Sequence, residues 1–354
     1  MVRNEPMQRP SNLRSFLGNP RAVDTLVRAI ERNRLPHAMI FAGPAGVGKR
    51  TLAHLLAQLL NCLAPSETDA CATCMSCHKV LSGVHPDVRE LGPEGAFIKI
   101  EQIRALIAEV AFQPFEGEYR VAILDGADQM RQETANSLLK TLEEPPSRTF
   151  LILVTTNPYA LLATIRSRCR MLQFGGIPHD QIEHYLVERE GINPREARIA
   201  ALLSNGSLSA AVSFDAGRFQ EVRGQALRFV RLLFERGGFF QISPMASALA
   251  KEKENFQLWL DLVAILLQDA YFAHVSPARM AQIDIAQELQ ALAGSLPIST
   301  IVSAIEAVQK LRRSLVYNLN RQIALEALYL SFVGTRGEDF GLRTADCRLK
   351  TNPQ

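Results

Sequence analysis

Ala38-Met39-Ile40-Phe41-Ala42-Gly43-Pro44-Ala45-Gly46-Val47-Gly48-Lys49-Arg50 runs from an apolar segment straight into a glycine-rich loop. Ala38 to Phe41 reads as a short buried strand, and Leu52 to Leu60 reads as a helix. Between them Gly43 to Lys49 fits G-x-x-x-x-G-K, the pattern whose backbone N–H groups and following helix N-terminus cradle phosphates. Gly43, Gly46, Gly48 and Lys49 are therefore candidate nucleotide-phosphate ligands, with Lys49 reaching the outer phosphates. The next position calls for Ser or Thr, whose hydroxyl holds a magnesium ion. Here it is Arg50, which cannot ligate a cation. Thr51 lies one residue on, a rotation of about 100° around the helix, so its hydroxyl points elsewhere. Two readings stay open: a loop that still binds ATP, and a relic that only shapes the fold.

On either side of this loop the same alternation continues. Asn19-Pro20 opens an amphipathic helix, with Asn19 as its cap. Ile103 to Val110 is helical by spacing, Arg120 to Leu124 is a buried strand, and Asn136 to Glu144 is a helix stopped by Pro145-Pro146. Phe150 to Thr155 is another buried strand. Buried strands alternating with helices predict an α/β class with a parallel sheet covered on both faces. After Phe174 the pattern changes. Gly175-Gly176-Ile177-Pro178 reads as a linker, and only helical periodicity follows. The expected division is a P-loop α/β domain over 1–174, a small helical domain over 175–238, an all-α domain over 239–335, and a polar tail over 336–354.

The strand Val121 to Leu124 ends at Asp125, the Walker B arrangement that sets a carboxylate near the metal position. The Glu that orients the attacking water in hydrolysing relatives is replaced by Gly126. Asp128 is expected to organise the adjoining turn. The metal hydroxyl and the water-activating carboxylate are thus both missing, and both losses argue against hydrolysis by this chain.

Cys62, Cys71, Cys74 and Cys77 crowd into one short segment. Their spacing suits a closed, structural zinc site with four thiolates, within an inserted module over 62–85. His78 and His85 offer a three-cysteine, one-histidine alternative. The composition is that of an ordinary globular protein, and the net charge of +3 is too small to argue for nucleic acid by itself. No signal-peptide core and no run of bilayer-spanning length stand out, so a cytoplasmic location without a membrane is expected. Lys310, Leu311-Arg312-Arg313 and Arg321 form a basic run that reads as a solvated helix face. Trp259, among leucines, reads as helix packing. Glu143-Glu144 at a helix end is disfavoured by the helix dipole and suggests a structural or interface role.

Taken together, the sequence resembles the bacterial clamp-loader family, the AAA+ subunits of the DNA polymerase III holoenzyme. The resemblance rests on Leu35-Pro36-His37-Ala38, the phosphate loop, the cysteine module, Asn136-Ser137-Leu138-Leu139-Lys140-Thr141-Leu142-Glu143-Glu144-Pro145, Thr155-Thr156-Asn157, Thr164-Ile165-Arg166-Ser167-Arg168-Cys169, and Asn318-x-Asn320 with Leu325 and Leu328. It implies an AAA+ domain, a helical lid and a helical collar that assembles subunits. The departures match the family's non-motor member. A third joins them: Gly206-Ser207-Leu208 is followed by Ser209, where motor subunits carry a nucleotide-sensing arginine. By the resemblance Arg168 is an arginine finger acting in trans at a neighbour's ATP site, with Arg166 a weaker candidate and Cys169 a buried apolar residue. The implied partners are other loader subunits in a hetero-pentameric ring, the sliding clamp, and primed DNA through the complex. The implied complex has DNA-directed DNA polymerase activity. The rival readings are an ATP-hydrolysing motor subunit and a zinc-bearing DNA-binding protein on a vestigial AAA+ fold.

Overall fold

Five strands form one sheet among the described residues: β1 (Ala38–Ala42), β2 (Val88–Leu91), β3 (Arg120–Asp125), β4 (Thr149–Thr155) and β5 (Arg170–Gln173). In this computed structural model, which describes residues 12–235, 239–251, 253–280, 285–294, 296–314 and 320–334, their order is β2-β3-β4-β1-β5. Every neighbouring pair is parallel. The three apolar strands expected from sequence occupy the centre. β2 and β5 are additions to that expectation. They are edge strands reading Val-Arg-Glu-Leu and Arg-Met-Leu-Gln, only partly buried, so they lack the continuous apolar run that marks a central strand.

Alternation along β1 sends its residues to two cores. Met39 and Phe41 pack with Leu52 and Leu56 of helix Lys49–Leu60 and with Val23 and Leu26 of helix Pro20–Glu31. Ala38 and Ile40 pack with Ile103 and Leu106 of helix Ile100–Val110 and with Leu138 and Leu142. β4 lies between the P-loop strand and the Asp125 strand. Its register pairs Ala42 with Thr155 and Asp125 with Val154. The phosphate loop, Asp125 and Thr155 therefore meet at the carboxyl ends of the strands, where parallel sheets place ligands.

Two local expectations change. Asn19 is left-handed (φ 50°) and makes no capping hydrogen bond. Its Oδ1 instead accepts the Gly175 N–H at 2.6 Å, so the expected linker is tied to the first helix. The helix expected over Asn136–Glu144 is two short ones, Gln132–Ser137 and Leu139–Glu143. Helices His179–Glu188, Pro194–Leu203 and Leu208–Val212 follow β5. Ile177, Ile182, Leu186, Ala197 and Ala200 form their core.

The chain divides into two compact units after Phe214. That division falls inside the 175–238 segment expected to form one helical domain. Helix Ala216–Phe234 belongs to the second unit, where Phe229 meets Trp259 edge-on with ring centroids 4.9 Å apart. Asp215 caps this helix by accepting the Arg218 N–H. The Gly237-Gly238 breaker, Asn318 and the tail over 336–354 lie outside the described residues.

The second unit is helical, and its central helix spans Lys253–Val275. The stretch Asn255–Val275 is long and apolar enough, by length and composition, to cross a bilayer, which corrects the expectation that no such run exists. Trp259, Leu262, Leu266 and Leu267 of that helix are fully buried. It packs against helices Ala216–Phe234, Ala286–Gly294 and Ile298–Ser314, which makes it the core helix of this unit. Helices Phe239–Lys251 and Arg321–Gly334 also belong to the unit and pack against each other.

Candidate functional site

The phosphate loop is closed on itself. Lys49 is buried, and its Nζ donates to the carbonyls of Gly43 at 2.7 Å and Pro44 at 2.5 Å. Burial lowers its pKa, although Asp125 and Asp128 pull the other way. The lid sits directly on the loop: the Ser209 N–H donates to the Gly46 carbonyl at 3.3 Å. Gly46 has φ +73°, and a Cβ there would lie 2.0 Å from Ser207 Oγ and 2.3 Å from Ser209 Oγ. Only glycine fits under this turn.

Arg50 turns to β2, where Glu90 takes both an ion pair and a hydrogen bond of 2.9 Å from its guanidinium. His54, one helical turn on, lies 3.0 Å from the same carboxylate. Burial by itself would raise the Glu90 pKa. Hydrogen bonds from His54 and Arg50, with their charges, outweigh it and hold the group at about 2. A cavity of about 410 Å³ opens here, lined by Arg50, His54, His85, Arg89, Glu90 and Asp125 among others.

Gly126 adopts φ +70° at the end of β3, so the missing carboxylate is matched by a backbone that disfavours any side chain. Asp128 does not serve its local turn as expected. Its Oδ1 accepts from Thr155 Oγ1 at 2.7 Å and from the Thr156 N–H at 3.3 Å, and its Oδ2 accepts from Thr156 Oγ1 at 3.1 Å. It ties the end of β3 to the end of β4.

Arg168 follows the short helix Ala163–Arg166 and is part-exposed. Its guanidinium pairs with Glu143 at 2.6 Å and donates to the Thr164 carbonyl at 2.9 Å. Arg166 lies apart, over the Tyr159 ring, with Cζ 5.3 Å from its centroid. Cys169 is a half-buried thiol whose pKa burial pushes up to about 12, in keeping with an unreactive side chain.

The four cysteine sulfurs of Cys62, Cys71, Cys74 and Cys77 lie within 4.8 Å of one another. Four sulfurs around a tetrahedral zinc at its usual bond length stand about 3.8 Å apart, and Cys71 and Cys77 are at 3.9 Å. Backbone N–H groups of Cys71, Cys74 and Cys77 donate to the sulfurs of Cys62, Cys71 and Cys74. Backbone hydrogen bonds from Thr73 and Cys74 pull the Cys71 thiol down to about 6. Burial pushes Cys77 up, and a bound cation would reverse that. The donor set fits zinc. His85 is outside the cluster: its Nδ1 accepts the Asp87 N–H, and its Nε2 faces Ser76 Oγ at 3.1 Å. Burial lowers its pKa, although Glu116 and Asp87 pull the other way.

Sequence reasoning missed Asp87, which is fully buried and accepts the N–H groups of Phe115, Glu116 and Gly117 at 2.7, 2.9 and 2.8 Å. It also missed Glu90 as the partner of Arg50. Neither lies in a motif, and both partners are distant in sequence. The basic run near the C-terminus is dispersed: Arg312 pairs with Asp261 at 2.5 Å, and Arg321 stacks over Phe256.

A family profile described as "DNA polymerase III, delta subunit" matches residues 18–178, and one described as "DNA polymerase III, delta subunit, C terminal" matches 225–333. The chain is 33% identical over 314 residues to the DNA polymerase III subunit delta' of Bacillus subtilis (strain 168), covering 88% of this chain and 95% of that protein. This chain belongs to the DNA polymerase III delta-prime family. The delta' subunit of Escherichia coli (strain K12) is 30% identical over 313 residues, covering 87% and 92%. The tau subunit of the same organism is 28% identical over 346 residues, covering 91% of this delta-prime family chain but 54% of tau.

Proposed function

We propose that this chain is a non-hydrolysing subunit of the loader that places a sliding clamp on primed DNA, and that it donates Arg168 to the ATP site of a neighbouring subunit. The observation that carries the reading is the state of its own phosphate loop. Lys49 is folded onto loop carbonyls, Arg50 is taken by Glu90, and Gly126 stands where a water-orienting carboxylate is needed. The loop is then a relic that shapes the fold, while Arg168 remains part-exposed.

In this reading the α/β part ends at about 174, the lid covers 175–214, and the helical unit from 215 serves as the collar of a hetero-pentameric ring in the cytoplasm. Zinc held by Cys62, Cys71, Cys74 and Cys77 would be structural, because four thiolates leave no open position for water. The test is ATP turnover by the purified chain with magnesium. Background turnover is expected. Turnover abolished by Lys49→Ala would establish a motor instead, and salt-dependent DNA binding lost on chelation would favour a zinc-bearing DNA-binding protein.

A further inference from the structure

Glu143 stands at the carboxyl end of helix Leu139–Glu143, just before Pro145-Pro146. The helix dipole gives no reason for a carboxylate there. The structure supplies one in the guanidinium of Arg168, 2.6 Å away. The pairing joins two segments, since Arg168's other partners, the Thr164 carbonyl and Ser167 Oγ, lie on its own turn.

The end of the Glu143 helix is itself anchored. His37 Nε2 donates to the Leu142 carbonyl at 3.2 Å, and the His37 carbonyl accepts the Leu151 N–H at 2.7 Å. His37 immediately precedes β1, and Leu151 lies in β4. A hydrogen-bonded path therefore runs from the centre of the sheet through His37 to Leu142, the residue before Glu143.

We propose that Glu143 is the positioning residue of Arg168, holding its guanidinium in the orientation that meets the neighbour's ATP. This rests on the finger reading above. A guanidinium carries five N–H donors, so it can keep Glu143 and still reach phosphate oxygens. An arginine side chain left free loses rotamer entropy when it docks, and a carboxylate that fixes it beforehand removes part of that cost. The pair is exposed enough to give a modest effect rather than a lock.

The experiment uses the loader reconstituted with this chain. In a loader whose other ATP sites are inactivated, Glu143→Ala should lower kcat at the one site Arg168 faces by about two- to fivefold, the range of an exposed ion pair, with KM unchanged. Glu143→Gln, which keeps an acceptor, should recover part of the loss and serves if the alanine variant folds poorly. Glu143→Ala with Arg168→Ala should be no slower than Arg168→Ala alone. Turnover in Glu143→Ala equal to or above that of the unaltered loader, or additive losses in the double variant, overturns the positioning role. An unchanged Arg168→Ala loader overturns the finger reading itself, and that arm is read separately.

Discussion

Gly126 offers the sharpest test of the proposal that this chain does not hydrolyse ATP. Its φ is +70°, a conformation that costs a non-glycine residue about 1–2 kcal/mol. A Cβ there meets nothing closer than 3.5 Å, so sterics add little to that cost. A unit of about 200 residues shifts by about 2–4 °C per kcal/mol, so Gly126→Ala should lower the melting temperature by about 2–8 °C. Gly126→Asn should lose less, because asparagine tolerates the left-handed region. Thermal unfolding followed by circular dichroism measures both. In parallel, Gly126→Glu with Arg50→Thr should leave ATP turnover at background, since Lys49 and the lid still close the loop. An alanine variant as stable as the parent, or equal losses for alanine and asparagine, refutes the backbone argument. Turnover in the double variant refutes the closed loop.

Three further outcomes are expected. Arg168→Ala should leave ring assembly intact by gel filtration while silencing the one ATP site it faces, since a finger is worth roughly 10³-fold or more in GTPases; unchanged loader turnover excludes the role. Asp87→Asn should destabilise the first unit by about 3 kcal/mol, because a charged acceptor of three N–H groups is replaced by an amide. Burial alone would raise the Asp87 pKa, but those N–H bonds and Arg120 outweigh it and lower it. Its stabilisation is therefore present above the unfolded value of about 4 and lost as pH falls through the folded one. Urea unfolding across about pH 2–5 should show a smaller acid-side decline in the asparagine variant than in the parent, the remainder coming from other depressed carboxylates such as Glu90. Cys71→Ser should reduce bound zinc below about half an equivalent by metal analysis, against about one for the parent; no zinc in the parent refutes a closed site.

The sequence by itself determined the central strands, the phosphate loop, its two chemical gaps and the cysteine cluster. Each is written in neighbouring residues: continuous apolar runs, fixed glycine spacing, a missing hydroxyl, thiols a few positions apart. Tertiary structure alone decided which partners these side chains meet. Glu90 meets Arg50, Asp128 meets Thr155 and Thr156, and Glu143 meets Arg168 only because the parallel sheet brings segments distant in sequence side by side. It also moved helix Ala216–Phe234 into the second unit, since helical periodicity shows that a face is buried but not which neighbour buries it.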